Sequence, residues 1–266
     1  MAYEKKALTL SIVIPVYNEE DYIGRCLDAI AAQSVKPDEV IVIDNNSTDK
    51  SEEIVRSFSF VKLLRENQQH QVFAQKTGFD HAKSDILGRI DADTVLPPDW
   101  VKKVKAAFTE DSQTVAVTGG ANPYDIRFKR TGKVIFNFYI NLAGLLAGRR
   151  MIWGANCAIR RTAWHKIRNK ILLRPDIFED YDLSFCLAPL GDTRYLKDIE
   201  VASSFRAVHP TFLEQTRYQF RAIRTFWLRT NPITASLYGL LWSTMFLVYP
   251  LTVIDGLVKK FTGRPD

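Results

Sequence analysis

Two acidic pairs carry most of the chemistry this sequence can do. Asp91-Ala92-Asp93 places two carboxylates directly behind the apolar run Asp85 to Ile90. Hard oxygen ligands so placed can share a divalent cation, Mg²⁺ or Mn²⁺, and the diphosphate that the cation neutralises. Phe178-Glu179-Asp180 opens a segment with Leu183, Cys186 and Leu187 at helical spacing. An acidic pair at a helix start is, on its own, a favourable partner for the helix dipole. Two further polar clusters follow apolar runs: Tyr17-Asn18-Glu19, and Asp44-Asn45-Asn46-Ser47-Thr48-Asp49.

Buried strands and amphipathic helices must hold these groups. Leu8 to Val16 and Val40 to Ile43 are β-branched runs, with helical spacing of Ile23, Leu27 and Ile30 between them predicting a helix from Glu20 to Gln33. Asp49 with Glu52 marks another helix start, and Phe60 to Leu64 a third strand. A helix over Val72 to Ala82 then leads to a fourth strand, Asp85 to Ile90. Pro97-Pro98-Asp99 opens a helix with Trp100, Val101, Val104 and Phe108 on one face, before Val115 to Val117 resumes the sheet. Such alternation predicts an α/β fold with a mostly parallel central sheet. Ligands of open α/β sheets bind outside the carboxyl ends of the strands, so Asn18, Asp44 and Asp93 should converge there. The second half is less regular: Val134 to Ala147 predicts a buried or interfacial helix, and Met151 to Arg161 a strand and turn.

With 266 residues the chain can bury one sizeable core, and 46% hydrophobic with 25% charged residues is an ordinary globular balance. A net charge of +6 suits a phosphate-bearing substrate or an anionic membrane surface. Nucleic acid is excluded as a partner, because the arginines accompany an uncharged apolar tail rather than a reading motif. Cys26, Cys157 and Cys186 are too few and too scattered for a disulfide framework or a metal site. The lysines before the first apolar run imitate a signal peptide, which Pro15 and the lack of a small-residue cleavage site oppose.

Asp91-Ala92-Asp93-Thr94-Val95 matches the DxDx[TV] pattern of haloacid-dehalogenase-like phosphatases, but about ninety residues precede it and no late GDxxxD motif follows. Those preceding residues decide the matter. Ser11-Ile12-Val13-Ile14-Pro15-Val16-Tyr17-Asn18-Glu19-Glu20 and Val42-Ile43-Asp44-Asn45-Asn46-Ser47-Thr48-Asp49 resemble the family 2 glycosyltransferases. The resemblance continues through Arg65-Glu66-Asn67, the acidic triplet with Leu96-Pro97-Pro98, Gly154-Ala155-Asn156 and Phe178-Glu179-Asp180, over about residues 8 to 210.

What the resemblance implies is a GT-A, Rossmann-like fold and an inverting, metal-dependent transfer from a UDP- or GDP-sugar. Pro15, Tyr17, Glu19 and Asp44 would line the nucleoside pocket, with Asp44 meeting the base and Tyr17 stacking on it. Asp91 would sit near ribose and diphosphate, and Asp93 would hold Mn²⁺ or Mg²⁺ directly, with His209 completing the metal shell. Lys76, in a segment that departs from the family's ARNxG, and Arg206 would approach the diphosphate. Asp180 would be the catalytic base and Glu179 its supporting carboxylate. Trp153, Gly154, Ala155 and Asn156 would form the acceptor-side loop.

No charged residue occurs from Ile233 to Ile254, a length just sufficient to cross a bilayer, although Gly239, Ser243, Thr244 and Pro250 dilute its hydrophobicity and leave an interfacial helix or a pair of short docked helices open. Before it, Arg217, Arg221 and Arg224 share one helical face, and Phe220, Ile223 and Trp227 another. The expected organisation is therefore a catalytic domain over 1–230, with a nucleotide-binding half to about 115 and an acceptor half after it, followed by a membrane-associated segment, 231–266. A glycan, lipid-linked sugar or polyprenyl phosphate is the expected acceptor, met at the cytoplasmic face of a membrane in cell-envelope polysaccharide synthesis. The alternatives are the phosphatase and a catalytically silent sugar-nucleotide-binding protein.

Overall fold

The computed structural model describes residues 7–125, 129–205 and 212–244. Seven strands form one sheet: β1 (Leu10–Val16), β2 (Glu39–Asp44), β3 (Val61–Arg65), β4 (Ile86–Arg89), β5 (Thr114–Pro123), β6 (Cys157–Arg160) and β7 (Asp192–Ser203). Their order is β3-β2-β1-β4-β6-β5-β7. All neighbours run parallel except β6, which lies antiparallel between β4 and β5. The expected mostly parallel α/β sheet is therefore present, and strand order reverses between β1 and β4, where a ligand crevice opens. β7 was not anticipated: its charged, half-exposed residues sit at a sheet edge, so it lacks the apolar run by which buried strands are recognised.

The alternation of side chains along β1 divides the molecule into layers. Ile12 and Ile14 face α1 (Ile23–Ala31) and α4 (Trp100–Glu110), where Leu27, Trp100 and Phe108 are buried. Val13 faces α3 (Gln71–His81), and that layer continues through α6 (Arg161–Ile167) and α7 (Glu179–Leu187), with Phe79 and Trp164 edge to face at 5.1 Å. Gly78 lets α3 lie close on the sheet, since a β-carbon there would come within 2.3 Å of Val13 and 2.6 Å of Ile43. The remaining α2 (Ser51–Arg56) flanks β3.

A third core lies beside the sheet, where α5 (Lys129–Ala147), α8 (Phe212–Arg229) and α9 (Pro232–Ser243) bury Ala143, Phe226 and Tyr238 against Tyr181 and Phe185 of α7. The rings of Phe226 and Tyr238 stack at 3.7 Å. Among the described residues no helix is long and apolar enough to cross a membrane. The first part of the uncharged tail is thus the twelve-residue α9, docked on α5 and α8, and the expectation of a spanning helix finds no support in it. The tail from 245 onward lies outside the described residues. All three cysteines are free and buried, and burial pushes each thiol up, Cys186 to about 11.

Asn156 joins the halves of the sheet. Its Nδ2 donates to the carbonyls of Ile199 (2.7 Å) and Gly120 (3.1 Å), and its Oδ1 accepts from Trp100 Nε1 (2.8 Å). Replacing it strands buried polar groups on three elements. Asn156→Ala should lower unfolding stability by roughly 3 kcal/mol in urea titration, whereas Asn141→Ala on the exposed side of α5 should change it by less than about 0.5 kcal/mol.

Candidate active site

The site is organised by a residue the sequence reading passed over. Arg89 ends β4 with its side chain almost wholly enclosed, and its guanidinium reaches three carboxylates. One terminal nitrogen donates to Asp180 Oδ1, and the other lies 2.9 Å from Asp91 Oδ1 and 3.8 Å from Glu179 Oε1. Burial alone would strip the guanidinium of its proton more easily, but Asp180, Asp91 and Glu179 outweigh burial and hold it charged. Asp91 of the first acidic pair and both residues of the second therefore meet around one guanidinium. The available signal was a lone cation closing an apolar strand, two positions before Asp91 and so on the same side of the chain.

Asp180 is tied down further by the backbone N–H of Gly154, which donates to Oδ2 at 2.7 Å, while Ser184 Oγ donates to the Asp180 carbonyl at 2.7 Å. Burial lifts its carboxyl to about 7 against the pull of Arg89, with Glu179 and Asp91 adding repulsion. Burial also raises Glu179, again opposed by Arg89. A carboxylate with such a value stands where a general base works best near neutral pH.

Asp91 accepts from Gln71 Nε2 (3.0 Å) as well as from Arg89, both at Oδ1. Asp93 is half-buried where β4 and β7 end, with Ser203 Oγ 3.4 Å from its Oδ1 and Tyr124 donating to its carbonyl at 3.0 Å. The donor set fits a hard cation. Negative field is concentrated here: beyond the effect of burial, Asp93, Asp91 and Glu19 push the Cys26 thiol up, and Asp93 and Asp125 push up the Tyr124 hydroxyl. Among the described residues no third ligating side chain joins this pair, and His209 and Arg206 lie outside them.

On the nucleotide side, Asp44 ends β2 beneath the loop and accepts the Ser47 N–H at 3.1 Å. Asn45, also unanticipated, accepts from the His70 N–H (2.9 Å) and donates to the carbonyls of Glu66 (2.9 Å) and Gln68 (2.8 Å), stitching the end of β2 to the loop before α3. Asn18 and Asn46 take left-handed backbone angles, φ 53° and 67°, which asparagine tolerates better than most residues. The Asn18 side chain accepts the Thr48 N–H at 2.8 Å, joining the loops after β1 and β2. Tyr17 is half exposed beside them, Pro15 is buried in β1, and Glu19 is half-buried with its N–H on Ser51 Oγ at 2.7 Å.

Other expected residues sit differently. Lys76 pairs with Asp80 one turn along α3, and Asp80 also accepts from Trp164 Nε1 at 2.8 Å. Asn156 spends its side chain inside the protein, so of the acceptor loop only Gly154 touches the carboxylate cluster. Trp153 is half-buried, edge to face with Phe136 at 5.1 Å.

A sheet whose order reverses here, with Asp91 and the Glu179-Asp180 pair gathered on one buried arginine, is the kind of site a nucleotide-sugar transferase class would have. The family model for glycosyl transferase family 2 matches residues 11–168, and the chain belongs to that family. Glycosyltransferase AglE of Haloferax volcanii is 35% identical over 101 residues, 35% of this chain and 33% of that protein. The undecaprenyl-phosphate 4-deoxy-4-formamido-L-arabinose transferase of Photorhabdus laumondii is 32% identical over 152 residues, 53% and 45% of the two chains. The chain thus spans less than half the length of these curated relatives. Among solved structures, the Pyrobaculum calidifontis mannosyltransferase PcManGT, in complex with GDP-Man and Mn²⁺, superposes with TM-score 0.66 at 19% identity over 96% of this chain and 74% of that one. The Mycobacterium tuberculosis glucosyl-3-phosphoglycerate synthase, with Mn²⁺, UDP-Glc and phosphoglyceric acid, gives 0.64 at 19% over 84% and 79%. The fold is of the GT-A type.

Gly154 tests the cluster directly, since a β-carbon there would sit 1.4 Å from an Arg89 nitrogen and 2.2 Å from Asp180 Oδ1. Gly154→Ala should cut turnover by on the order of 10²-fold, because the carboxylate loses its placement. Donor affinity measured by calorimetry should stay within about threefold, since the residues expected to meet the nucleoside lie on other loops.

Proposed function

We propose that the chain transfers a sugar from a UDP- or GDP-sugar to an acceptor with inversion at the anomeric carbon. The observation that carries this reading is Arg89, which draws Asp91 and the Glu179-Asp180 pair together around one guanidinium. Asp44 and Tyr17 hold the nucleoside, with Pro15 and Glu19 shaping that pocket. Asp93 and Asp91 would hold a divalent cation, which when bound neutralises the diphosphate; His209 and Arg206 are proposed to complete that side. The names of the fold neighbours, which bind GDP-Man or UDP-Glc with Mn²⁺, support both donor classes.

The bond from the anomeric carbon to the diphosphate oxygen breaks as a bond to the acceptor oxygen forms on the opposite face. The acceptor's proton passes to the Asp180 carboxylate. Glu179 stands behind it, and the Gly154 N–H and Arg89 fix its orientation. The acceptor is a lipid-linked sugar or polyprenyl phosphate met at the cytoplasmic face of a membrane, as the name of the undecaprenyl-phosphate relative supports. A base is needed for a sugar hydroxyl, whereas a phosphate oxygen arrives ionised, so the cost of losing Asp180 separates the two acceptors.

Donor screening with UDP-glucose and GDP-mannose plus Mn²⁺ tests the reading through nucleotide release. Asp93→Ala should abolish release, and Asp180→Asn should lower it by about 10³-fold with a hydroxyl acceptor and much less with a phosphate acceptor. Donor binding without release on either acceptor class would point to a silent binding protein, and orthophosphate release from a phosphomonoester to a phosphatase. The base must be ionised to act, and its carboxyl is raised to about 7. With a hydroxyl acceptor, kcat should therefore fall about tenfold per unit as pH drops below that value and level off above it, a limb that Asp180→Asn removes.

A further inference from the structure

We infer that the outer face of α5, α8 and α9 is a docking surface for an anionic lipid bilayer, formed by the folded part of the chain. This deepens the lipid-acceptor reading and rests on it only for its purpose, since membrane binding is measured apart from transfer. Most of the large apolar side chains left exposed among the described residues are on these three helices, at exposures from 38% for Tyr218 to 75% for Leu145. On α5, Val134, Phe138 and Leu145 recur at i, i+4 and i+11, on the side opposite Tyr139, Ala143 and Ala147, which are buried. On α9, Ile233, Leu237 and Leu240 stand opposite the buried Ala235 and Tyr238. On α8, Phe220, Trp227 and Leu228 stand away from the buried Ala222 and Phe226.

Since all three helices bury their inner sides in the same third core, their apolar sides point outward around it. A water-soluble surface rarely concentrates so many exposed apolar side chains on adjoining elements without a partner. Charge selects the partner. By sequence the three helices carry Lys129, Arg130, Lys133, Arg217, Arg221, Arg224 and Arg229 against a single acidic residue, Glu214. Lys133 pairs with Glu200, Arg224 with Asp176 and Arg229 with Asp182, while Arg130, Arg217, Arg221 and Arg224 are exposed. Aromatic and aliphatic side chains beside arginines match the acyl boundary and headgroup layer of an anionic membrane, where each basic residue adds attraction. A second copy of the chain would bring the same cations and be repelled.

The face is also coupled to the site. Thr225 Oγ1 on α8 accepts the Phe178 N–H at 2.8 Å, immediately before Glu179, and the ring of Tyr218 meets that of Phe178 edge to face at 5.0 Å. Docking through α8 would set the cleft beside the headgroups, where a lipid-linked acceptor presents its reactive end.

Sedimentation of the full chain with vesicles of phosphatidylcholine alone, or with about 30% phosphatidylglycerol, tests this. The chain should pellet with the anionic vesicles, and Phe138→Asp with Leu237→Asp should weaken that binding by about tenfold or more. Arg130→Glu with Arg217→Glu should remove the preference for phosphatidylglycerol. Thermal melting and donor binding of all variants should match the parent chain, because these side chains face water in the fold. The proposal is overturned if the aspartate variant pellets like the parent, if the parent stays in the supernatant, or if both vesicle types bind equally. It is equally overturned if the parent, without lipid, forms dimers in ultracentrifugation that the aspartate substitutions dissolve. Loss of transfer with intact pelleting would instead count against the transferase reading alone.

Discussion

The buried guanidinium of Arg89 is the interaction on which the site depends. Taking an arginine and two or three carboxylates out of water is costly, and their attraction offsets that cost only if the geometry is held. Here the geometry is held from every side: β4 supplies the arginine, α7 the Glu179-Asp180 pair, the loop after β4 Asp91, and the Gly154 amide the remaining contact. A cluster of this kind contributes little net stability. What it supplies is position, holding Asp91 and the Glu179-Asp180 pair in fixed places around one guanidinium. The guanidinium has a further feature: its Nε is buried and meets no partner among the described residues, so bonding is concentrated in the two terminal nitrogens that face the carboxylates.

The sheet explains why these groups meet. β6 enters antiparallel between β4 and β5, which brings Cys157 beside Arg89 in register and sets the preceding turn, Gly154–Asn156, at the mouth of the cleft. Asn156 then anchors that turn to β5, β7 and α4 at once. The same fold surrounds the nucleotide side with short polar loops, each stitched to its neighbour by an asparagine: Asn18 to Thr48, and Asn45 to Glu66, Gln68 and His70. Rigid loops of this type suit recognition of a planar base and a diphosphate, whose positions must be set before transfer.

Most of the parallel half of the fold was legible because β1, β2 and β4 are buried on both faces and read as apolar runs, each followed by a polar cluster. Asp91 and Asp93 were legible for the same reason, since they fall where such a run stops, and Glu179-Asp180 because it opens a segment of helical spacing. Arg89 was not, because a cation at a strand end is usually solvated, and only tertiary folding encloses it. β7 escaped because an edge strand carries charged side chains and lacks a continuous apolar signal. Asn156 and Lys76 show the opposite failing. Motif position marked them for ligand contact, yet Asn156 is occupied by backbone carbonyls and Lys76 by Asp80. A side chain's type states what it can bond, and only the surrounding fold states what it does bond. The apolar tail was ambiguous for a physical reason as well, since a helix that docks on other helices and one that enters lipid need the same side chains.

The join between α7 and α8 has a mechanical consequence. Thr225 is bonded to the Phe178 amide, and one turn later Arg229 Nε lies 2.6 Å from Asp182 Oδ1, whose second oxygen accepts the Leu172 N–H at 2.8 Å. A helix pinned at two successive turns can neither slide nor roll on its neighbour. These bonds tie the position of the Asp180 carboxylate to that of α8. For the lipid-tethered acceptor proposed above, the same join would set the span between tether and reactive oxygen.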